Sequence, residues 1–381
     1  MLTNPQLYLL FLGVAVLVFW LLPASRPRLR QFCLIVFSCV VVFTVAPYAI
    51  LIVLGLSAFA IGANQFLAKE KRPFPLLLTF VLIAGIPLFW IRFEDTVSSL
   101  VSIGLSFAVL KAVGLLVTGH LQRKTVSWWD GLTLMTFFPA FPSGPIEVAD
   151  RFSSGIISRS LNWQFAVNGI VRISLGLFRL LFLAPVILVP IASRYGADVF
   201  TPAYEGSGLD VILYCIVAFS VLYVSFSGYS DVAIGSGLLF GIELGENFNK
   251  PFLARNIIEF WQRWHMSLGR WVNAFFYMPV VRNTGKVYLP IFAIFLFIGF
   301  WHSSSFNYLI WGALHGICLV STQLLKKGKK KRGNEEVSFS DRLRGIGGWA
   351  FTMVFVTVLS AFANAPTLQE GGQLLVNLIS F

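Results

Sequence analysis

Charged residues are scarce in this sequence of 381 residues. Only 12% are Asp, Glu, Lys or Arg, whereas 57% are hydrophobic, and the mean hydropathy is +0.78. A soluble domain usually carries about a quarter charged residues. The composition therefore excludes an ordinary soluble domain and predicts an all-α protein that crosses a membrane several times.

Cysteine is also rare, and several catalytic motifs are missing. The four cysteines, Cys33, Cys39, Cys215 and Cys318, lie in or beside apolar runs and form no CxxC pair. This placement is typical of small core residues and not of metal ligands or a disulfide framework. The sequence also contains no HExxH, GxSxG or Walker A motif, which excludes the enzyme classes those motifs define.

Long apolar runs dominate what remains. A transmembrane helix needs roughly 20 mainly apolar residues. We predict ten spans, at residues 7–22, 32–45, 48–67, 75–91, 97–117, 162–191, 211–226, 288–301, 306–325 and 347–362. The first run has no basic residue before it, so we expect no cleavable signal peptide. With no internal repeat visible, residues 1–381 are expected to form a single integral-membrane domain.

The net charge of +12 does not require a nucleic-acid partner, because membrane topology explains where the basic residues lie. The basic segments lie at residues 26–30, 69–72, 123–124, 282–286 and 326–332, and pairs of spans separate them so that all can lie on the cytoplasmic side. We therefore expect a cytoplasmic (inner) membrane protein with both termini extracytoplasmic. The last segment comprises Lys326, Lys327, Lys329, Lys330, Lys331 and Arg332. It is expected to anchor the topology and could also dock an acidic protein or anionic membrane lipid.

A proline-rich segment, residues 128–152, interrupts the pattern of spans. Pro139, Pro142 and Pro145, together with Gly144, forbid a regular spanning helix there. Irregular backbone at membrane depth must be buried in protein or line a wet cavity. Two interpretations stay open, a loop at the bilayer edge and a re-entrant segment that lines a tunnel with Ser143 and Pro145.

A few charged residues lie inside apolar runs. Arg172 and Arg179 are seven residues apart and share a helix face, where pairing or contact with headgroups is the simpler explanation. Asp231 lies in a glycine-rich stretch and needs a partner or a proton. Gly228, Gly235, Gly237 and Gly241 are expected to allow close approach of the backbone.

The stretch from Asn247 to Met278 carries an aromatic stripe with helical spacing. The stripe predicts one helical face that contains Trp261, Trp264, His265, Leu268, Trp271, Val272 and Phe275. Glu259 and Arg263 are four residues apart and are expected to pair. His265 stands where only apolar residues would be expected, so it is either a structural histidine or a functional one.

His315 lies deep in another apolar run, next to Gly312, Ala313 and Gly316. Ionisable residues within membranes are candidates for function, and a buried neutral imidazole can accept a proton. A metal site formed by His302, His315 and Asp231 has no local spacing to support it. A histidine base beside polar tunnel residues suits acyl transfer from a thioester to a hydroxyl, because the thioester supplies the leaving group.

Four stretches together resemble the membrane-bound O-acyltransferase (MBOAT) family. They are FFPAFPSGPIEVADRF (137–152), FSGYSDVAIGSGLLFGIELGENFNKPF (226–252), EFWQRWHMSLGRW (259–271) and GFWHSSSFNYLIWGALHG (299–316). The resemblance covers much of the second half of the chain. Within the family, the chain resembles the bacterial cell-envelope branch, which transfers D-alanyl or acetyl groups. Where the family often has Trp-His-Gly, this chain has Trp301-His302-Ser303, and no role is assigned to His302.

The resemblance implies a fold and a mechanism. The fold would be a ring of about ten transmembrane helices, with re-entrant and interfacial helices, around a central tunnel. His315 would be the catalytic residue and His265 its partner, with Trp261, Trp264 and Asn273 orienting the substrate and Asp231 lining the tunnel. No bound cofactor is implied. The donor would be a thioester. The acyl group would be attached either to the phosphopantetheine of an acidic acyl carrier protein or to a donor of the acetyl-CoA type.

The leading hypothesis is therefore transfer of D-alanyl from such a carrier toward a hydroxyl of an extracytoplasmic envelope acceptor or a partner acyltransferase. The alternative within the family is O-acetylation of an envelope polysaccharide or of peptidoglycan. An alternative of another class is a proton-coupled transporter in which the histidines relay protons. A non-catalytic scaffold is a third hypothesis.

Overall fold

The computed structural model describes residues 4–45, 47–69, 74–93, 99–141, 143–195, 208–327 and 339–380. Within these ranges all regular secondary structure is helical, which confirms the predicted fold class. Seven helices are long and apolar enough to cross a membrane. They lie at Pro27–Thr44, Pro47–Lys69, Ser102–Gln122, Trp163–Ser193, Gly208–Leu239, Phe306–Lys326 and Arg344–Asn364. The chain is therefore a multi-pass membrane protein.

Three further apolar helices are shorter than an ordinary span. They are Pro5–Leu21, Phe74–Trp90 and Tyr288–His302. Together, the longer and the shorter helices overlap all the predicted spans, because hydropathy over some 20 residues is a strong signal.

The chain divides into two compact units. The first unit comprises residues 1–178 and 228–246, and the second comprises residues 179–227 and 247–381. The first contains α1 (Pro5–Leu21), α2 (Pro27–Val45), α3 (Pro47–Lys69), α4 (Phe74–Phe93), α5 (Ser99–Gln122), α6 (Trp128–Thr136), α7 (Ser154–Ile157) and α8 (Trp163–Phe178). The second contains the π-helical segment Arg179–Leu188, α9 (Val189–Tyr195), α11 (Ile257–Arg263), α12 (Met266–Val272), α13 (Met278–Thr284), α14 (Tyr288–His302), α15 (Phe306–Lys327), α16 (Phe339–Asn364) and α17 (Leu368–Ile379). Helix α10 (Gly208–Leu239) contributes its first part, to Ser227, to the second unit and the remainder to the first.

In the first unit, glycines bring α8 against the later part of α10. A Cβ atom on Gly169 would lie 2.8 Å from the carbonyl oxygen of Gly235, and one on Gly176 would lie 2.6 Å from that of Gly228. Only glycine allows two helix backbones to approach so closely. The expectation of close approach at Gly228 and Gly235 is thus confirmed.

The proline-rich segment also belongs to the first unit and is buried there. After α6 it forms short 3₁₀ turns at Phe138–Ala140 and Ala149–Phe152. Phe137 and Phe138 are fully buried, and the backbone N–H of Phe138 donates to Ser38 Oγ at 3.1 Å. This burial favours a segment embedded in protein over a loop at the bilayer edge.

In the second unit, α14 and α15 form a tight helical hairpin. A Cβ atom on Gly299 would collide with the carbonyl oxygen of Tyr308, and one on Gly312 with that of Phe295. The start of α15 is also tied to the α16–α17 connection, where the Asn307 amide donates to the carbonyl oxygens of Ala365 at 2.9 Å and Thr367 at 3.1 Å. These contacts fix α15, which carries His315.

The aromatic stripe does not lie on one continuous helix. The chain forms α11, breaks at Trp264 and His265, and resumes as α12. It continues through the π-helical segment Asn273–Tyr277 into α13. The expectation of a single helical face is therefore wrong, and the break determines where each side chain of the stripe points.

Candidate functional site

The site is organised around the break at His265. This residue has φ +45° and ψ +52°, in the left-handed region. Asn247 holds the break from outside the helices: its carbonyl oxygen accepts from the N–H of Met266 at 2.9 Å. Left-handed backbone is costly for a residue with a Cβ and persists where the surroundings impose it. The break turns the His265 side chain away from the path of α11.

His265 is packed among aromatic rings. Its side chain is buried, and its ring centroid lies 4.8 Å from that of Phe226 and 6.3 Å from that of Trp301. Burial, assisted by the nearby charges of His302 and Arg270, lowers the pKa of His265 to about 3. His265 therefore stays neutral across the physiological pH range.

His315 lies on α15 and is 1% exposed. Its Nδ1 lies 3.1 Å from the backbone carbonyl oxygen of Trp311, one helical turn earlier. A carbonyl oxygen only accepts, so this contact places the proton of the neutral imidazole on Nδ1. Nε2 is then the basic nitrogen. The His315 ring is enclosed by Trp311 at 4.5 Å and Phe355 at 5.0 Å.

Both histidines line one cavity of about 140 Å³, which we call the histidine cavity. Four of the predicted site residues meet there: His315, His265, Trp261 and Trp264. The rest of its wall is mostly aromatic and aliphatic, including Phe219, Phe226, Phe260, Trp311 and Val356. A partly open cavity with mostly apolar walls and a few convergent polar groups is typical of a small-molecule site.

Polar residues that no prediction assigned also line this cavity, among them His302, Tyr308, Ser360 and Asn364. His302 ends α14 and is exposed, and the Tyr308 hydroxyl donates to Asn364 Oδ1 at 2.9 Å. Only His302 had a signal in the sequence, as a histidine beside a tryptophan at a helix end. Asn364 lies at the end of the last predicted span, where no local pattern distinguishes it.

Asn273 does not reach the histidine cavity. It is exposed at the start of the π-helical segment and lines a neighbouring open groove of about 460 Å³. Trp261 borders this groove as well as the histidine cavity, and Phe295 packs on Trp261 with ring centroids 4.9 Å apart. The groove also presents Gln262, Arg270 and Tyr277.

Asp231, Ser143 and Pro145 belong to the first unit. Asp231 is buried and forms an ion pair with Arg172, whose Nε lies 2.9 Å from Asp231 Oδ1. Arg172 also makes a two-pronged contact with Glu246, at 2.9 and 2.7 Å. Asp231 thus has the partner that its position requires. Pro145 is buried and Ser143 half-buried in the proline-rich segment.

Some charged side chains of the second unit have polar partners. Arg263 donates to Glu259 at 2.6 Å, which confirms the predicted pair. A backbone hydrogen bond from Arg255, followed by the charge of Arg263, lowers the pKa of Glu259. Lys326 is exposed and donates to Asn256 Oδ1 at 3.2 Å. The side chain of Lys327, and Lys329, Lys330, Lys331 and Arg332, lie outside the described residues.

Metal binding has no structural support in the described part of the chain. No group of three or more His, Cys, Asp or Glu side chains there is arranged to hold a metal ion. What the histidine cavity offers is a neutral, buried imidazole with one basic nitrogen, in an apolar enclosure. That arrangement suits proton transfer to and from a bound hydroxyl.

A family comparison agrees with this geometry. The model of the MBOAT, membrane-bound O-acyltransferase family matches residues 52–331, which is more than half of the chain. The chain therefore belongs to the membrane-bound O-acyltransferase family, and the family resemblance predicted from its motifs is confirmed.

Curated relatives fall into two groups. A peptidoglycan O-acetyltransferase of Helicobacter pylori is 31% identical over 66% of this chain and 46% of its own length. A probable alginate O-acetylase AlgI of Pseudomonas aeruginosa is 28% identical over 74% of this chain and 52% of its own. A teichoic acid D-alanyltransferase of Streptococcus thermophilus is 27% identical over 94% of this chain and 93% of its own. The chain thus spans about half the length of the O-acetylating relatives and nearly all of the D-alanyltransferase.

Proposed function

We propose that this protein transfers an acyl group from a thioester to a hydroxyl, and that the reaction takes place in the histidine cavity. The observation that carries the proposal is the state of His315. It is buried, and its Nδ1 is held by the Trp311 carbonyl oxygen, which leaves Nε2 as the base. The membership of the chain in an acyltransferase family supports the same reaction.

The proposed step requires no cofactor, because the hydroxyl, the thioester and His315 account for every bond and proton. The hydroxyl oxygen forms a bond to the carbonyl carbon of the thioester while its proton passes to His315 Nε2. The carbon–sulfur bond then breaks, and the departing sulfur takes the proton from His315. The mostly apolar walls of the cavity would disfavour water, which would otherwise compete for the thioester. Neutral His265 would help to hold the reacting groups in place.

For the acyl group, we favour D-alanyl on the phosphopantetheine arm of an acidic acyl carrier protein. Similarity to the teichoic acid D-alanyltransferase extends along 94% of this chain, whereas the O-acetyltransferase similarity covers 66%. O-acetylation of an envelope polysaccharide or of peptidoglycan is the second candidate, supported by the slightly higher identity of 31% to the peptidoglycan enzyme.

The decisive assay uses the full chain in lipid nanodiscs with labelled D-alanyl-carrier thioester or labelled acetyl-CoA and an envelope hydroxyl acceptor. We expect label transfer in wild type and at least a ~10²-fold loss in His315→Ala. His120→Gln is the matched control, since His120 lies outside the histidine cavity, and it should retain activity. Transfer that survives His315→Ala would contradict the proposal. Transfer from the acetyl donor alone would assign the chain to O-acetylation.

The orientation and the carrier contact are part of the same proposal. The basic segments would face the cytoplasm of an inner membrane, both termini would lie outside, and residues 326–332 would dock the carrier protein. Alkaline phosphatase fused to either terminus should then be active, and inactive when inserted after residue 332. Inactive phosphatase at both termini, together with active phosphatase after residue 332, would contradict this orientation. Neutralising the lysines of 326–332 should raise the KM for the carrier and leave kcat unchanged.

A further inference from the structure

The indole N–H of Trp261 has no hydrogen-bond acceptor within the residues that the structure describes, although the nitrogen is buried. Buried indole N–H groups usually have a partner, because an unmet donor away from water is costly. Unmet buried donors are therefore few, and functional sites are among the places where they occur. Trp349 shows the ordinary state: its N–H donates to the carbonyl oxygen of Phe252 at 2.8 Å.

This unmet donor lies beside the proposed base. The Trp261 ring borders the histidine cavity, and its centroid is 5.4 Å from that of His315, with the two planes at 77°. Trp311 lies 5.9 Å away on the same side. A substrate whose hydroxyl proton reaches His315 must therefore place its reacting carbonyl within the same small enclosure of about 140 Å³.

The chemistry of acyl transfer requires a donor at this place. As the hydroxyl adds to the thioester, negative charge develops on the carbonyl oxygen, and a positioned N–H group stabilises it. Other polar groups of the cavity are engaged. The Tyr308 hydroxyl donates to Asn364, and the Asn364 amide donates to the carbonyl oxygen of Ser360 at 2.8 Å. An indole N–H can only donate, so it cannot compete with His315 for the proton.

We propose that the indole N–H of Trp261 donates a hydrogen bond to the carbonyl oxygen of the acyl thioester and stabilises its charge during transfer. The inference rests on the proposed acyl transfer at His315. The carbonyl oxygen would supply the acceptor that the described residues do not provide to Trp261. Trp261 would thus be a catalytic residue.

The first test removes the N–H without changing the shape of the ring. Replacing the indole of Trp261 with benzothiophene, through 3-benzothienylalanine, exchanges N–H for sulfur. We expect kcat to fall about 10²-fold with little change in KM, as for loss of one donor to a developing oxyanion. Trp261→Phe should show the same loss of kcat. The same replacement at Trp349 is the control, because that N–H bonds a protein carbonyl and lies outside the cavity.

The second test does not depend on turnover. In the His315→Ala background, the infrared band of a ¹³C-labelled thioester carbonyl should shift to lower frequency on binding, because a hydrogen bond weakens the carbonyl bond. Adding the benzothiophene at Trp261 should abolish that shift. An unchanged band, or an unchanged kcat in an otherwise active protein, would overturn this inference alone. Absence of transfer by the wild type would overturn the proposed function itself.

Discussion

Substitutions of His265 separate its backbone role from its chemical role. The residue combines a left-handed conformation, φ +45°, with a buried imidazole that lines the histidine cavity. His265→Ala removes the imidazole but keeps a Cβ in the left-handed region. His265→Gly removes the imidazole and the Cβ together. The two variants therefore share the chemical loss and differ in backbone strain.

The expected difference in stability follows from that strain. A residue with a Cβ costs about 1–2 kcal/mol in the left-handed conformation, and glycine adopts it freely. We therefore expect the Gly variant to be more stable than the Ala variant by ~1–2 kcal/mol. In an ordinary helix the order is reversed by roughly 0.5–1 kcal/mol, so the sign alone reports the conformation. Thermal unfolding in detergent, followed by loss of monodisperse protein, measures the difference.

Activity should not follow stability in this pair. If the imidazole is needed beside His315, both variants lose acyl transfer by about 10²-fold, because neither can hold the reacting groups. The nanodisc assay with labelled thioester measures this, with both proteins assayed well below their melting temperatures. Recovery of near wild-type activity in His265→Gly would refute a chemical role and leave His265 as a backbone element only.

Three further predictions concern packing, charge and pH. Gly312→Ala should destabilise the protein by ~1–3 kcal/mol, because its Cβ would meet the carbonyl oxygen of Phe295, whereas Gly372→Ala, which meets nothing, should stabilise it by ~0.5–1 kcal/mol. Thermal unfolding in detergent tests both variants. Changes in stability of the same sign in the two variants would contradict the packing argument. Asp231→Asn should cost about 2 kcal/mol, because it removes the buried carboxylate that pairs with the half-buried Arg172, and Glu246→Gln, at a carboxylate that is 50% exposed, should cost less than about 1 kcal/mol. An equal cost in chemical denaturation would argue against a buried ion pair. Because the pKa of His265 is lowered to about 3 in the folded protein, its contribution to stability is complete above its ordinary value and is lost as the pH falls below it. The wild type should therefore lose about 1 kcal/mol more than His265→Asn between pH 6.5 and 5.5, and identical pH profiles of unfolding would show that His265 is not buried neutral.

The sequence predicts the helices well because their signal is local. Apolar runs of span length, bounded by basic or proline residues, mark the same segments in the structure. The ion pair of Glu259 with Arg263 is also local, since residues four apart share a helix face. The joint motif match placed His315 with His265, and both line one cavity. By contrast, the partner of Asp231 is Arg172, 59 positions earlier in the numbering of the chain, and no local pattern connects the two.

The break at His265 could not be predicted from the sequence, and the reason is physical. Spacings of three and four residues continue through Trp261, Trp264, His265 and Leu268, so the periodicity predicts an unbroken helix. The left-handed turn has no glycine to mark it, and it is held by Asn247, which lies 18 positions earlier. Tertiary contacts therefore overrode the local pattern.

Asn273 was grouped with Trp261 through the family resemblance, and the structure separates the two. Asn273 follows Trp261 by twelve residues, which even on one continuous helix would place it about 120° around the axis from Trp261. The left-handed residue and the π-helical segment Asn273–Tyr277 both change the angular register between them. As a result, Trp261 borders the histidine cavity and the groove, whereas Asn273 borders the groove alone.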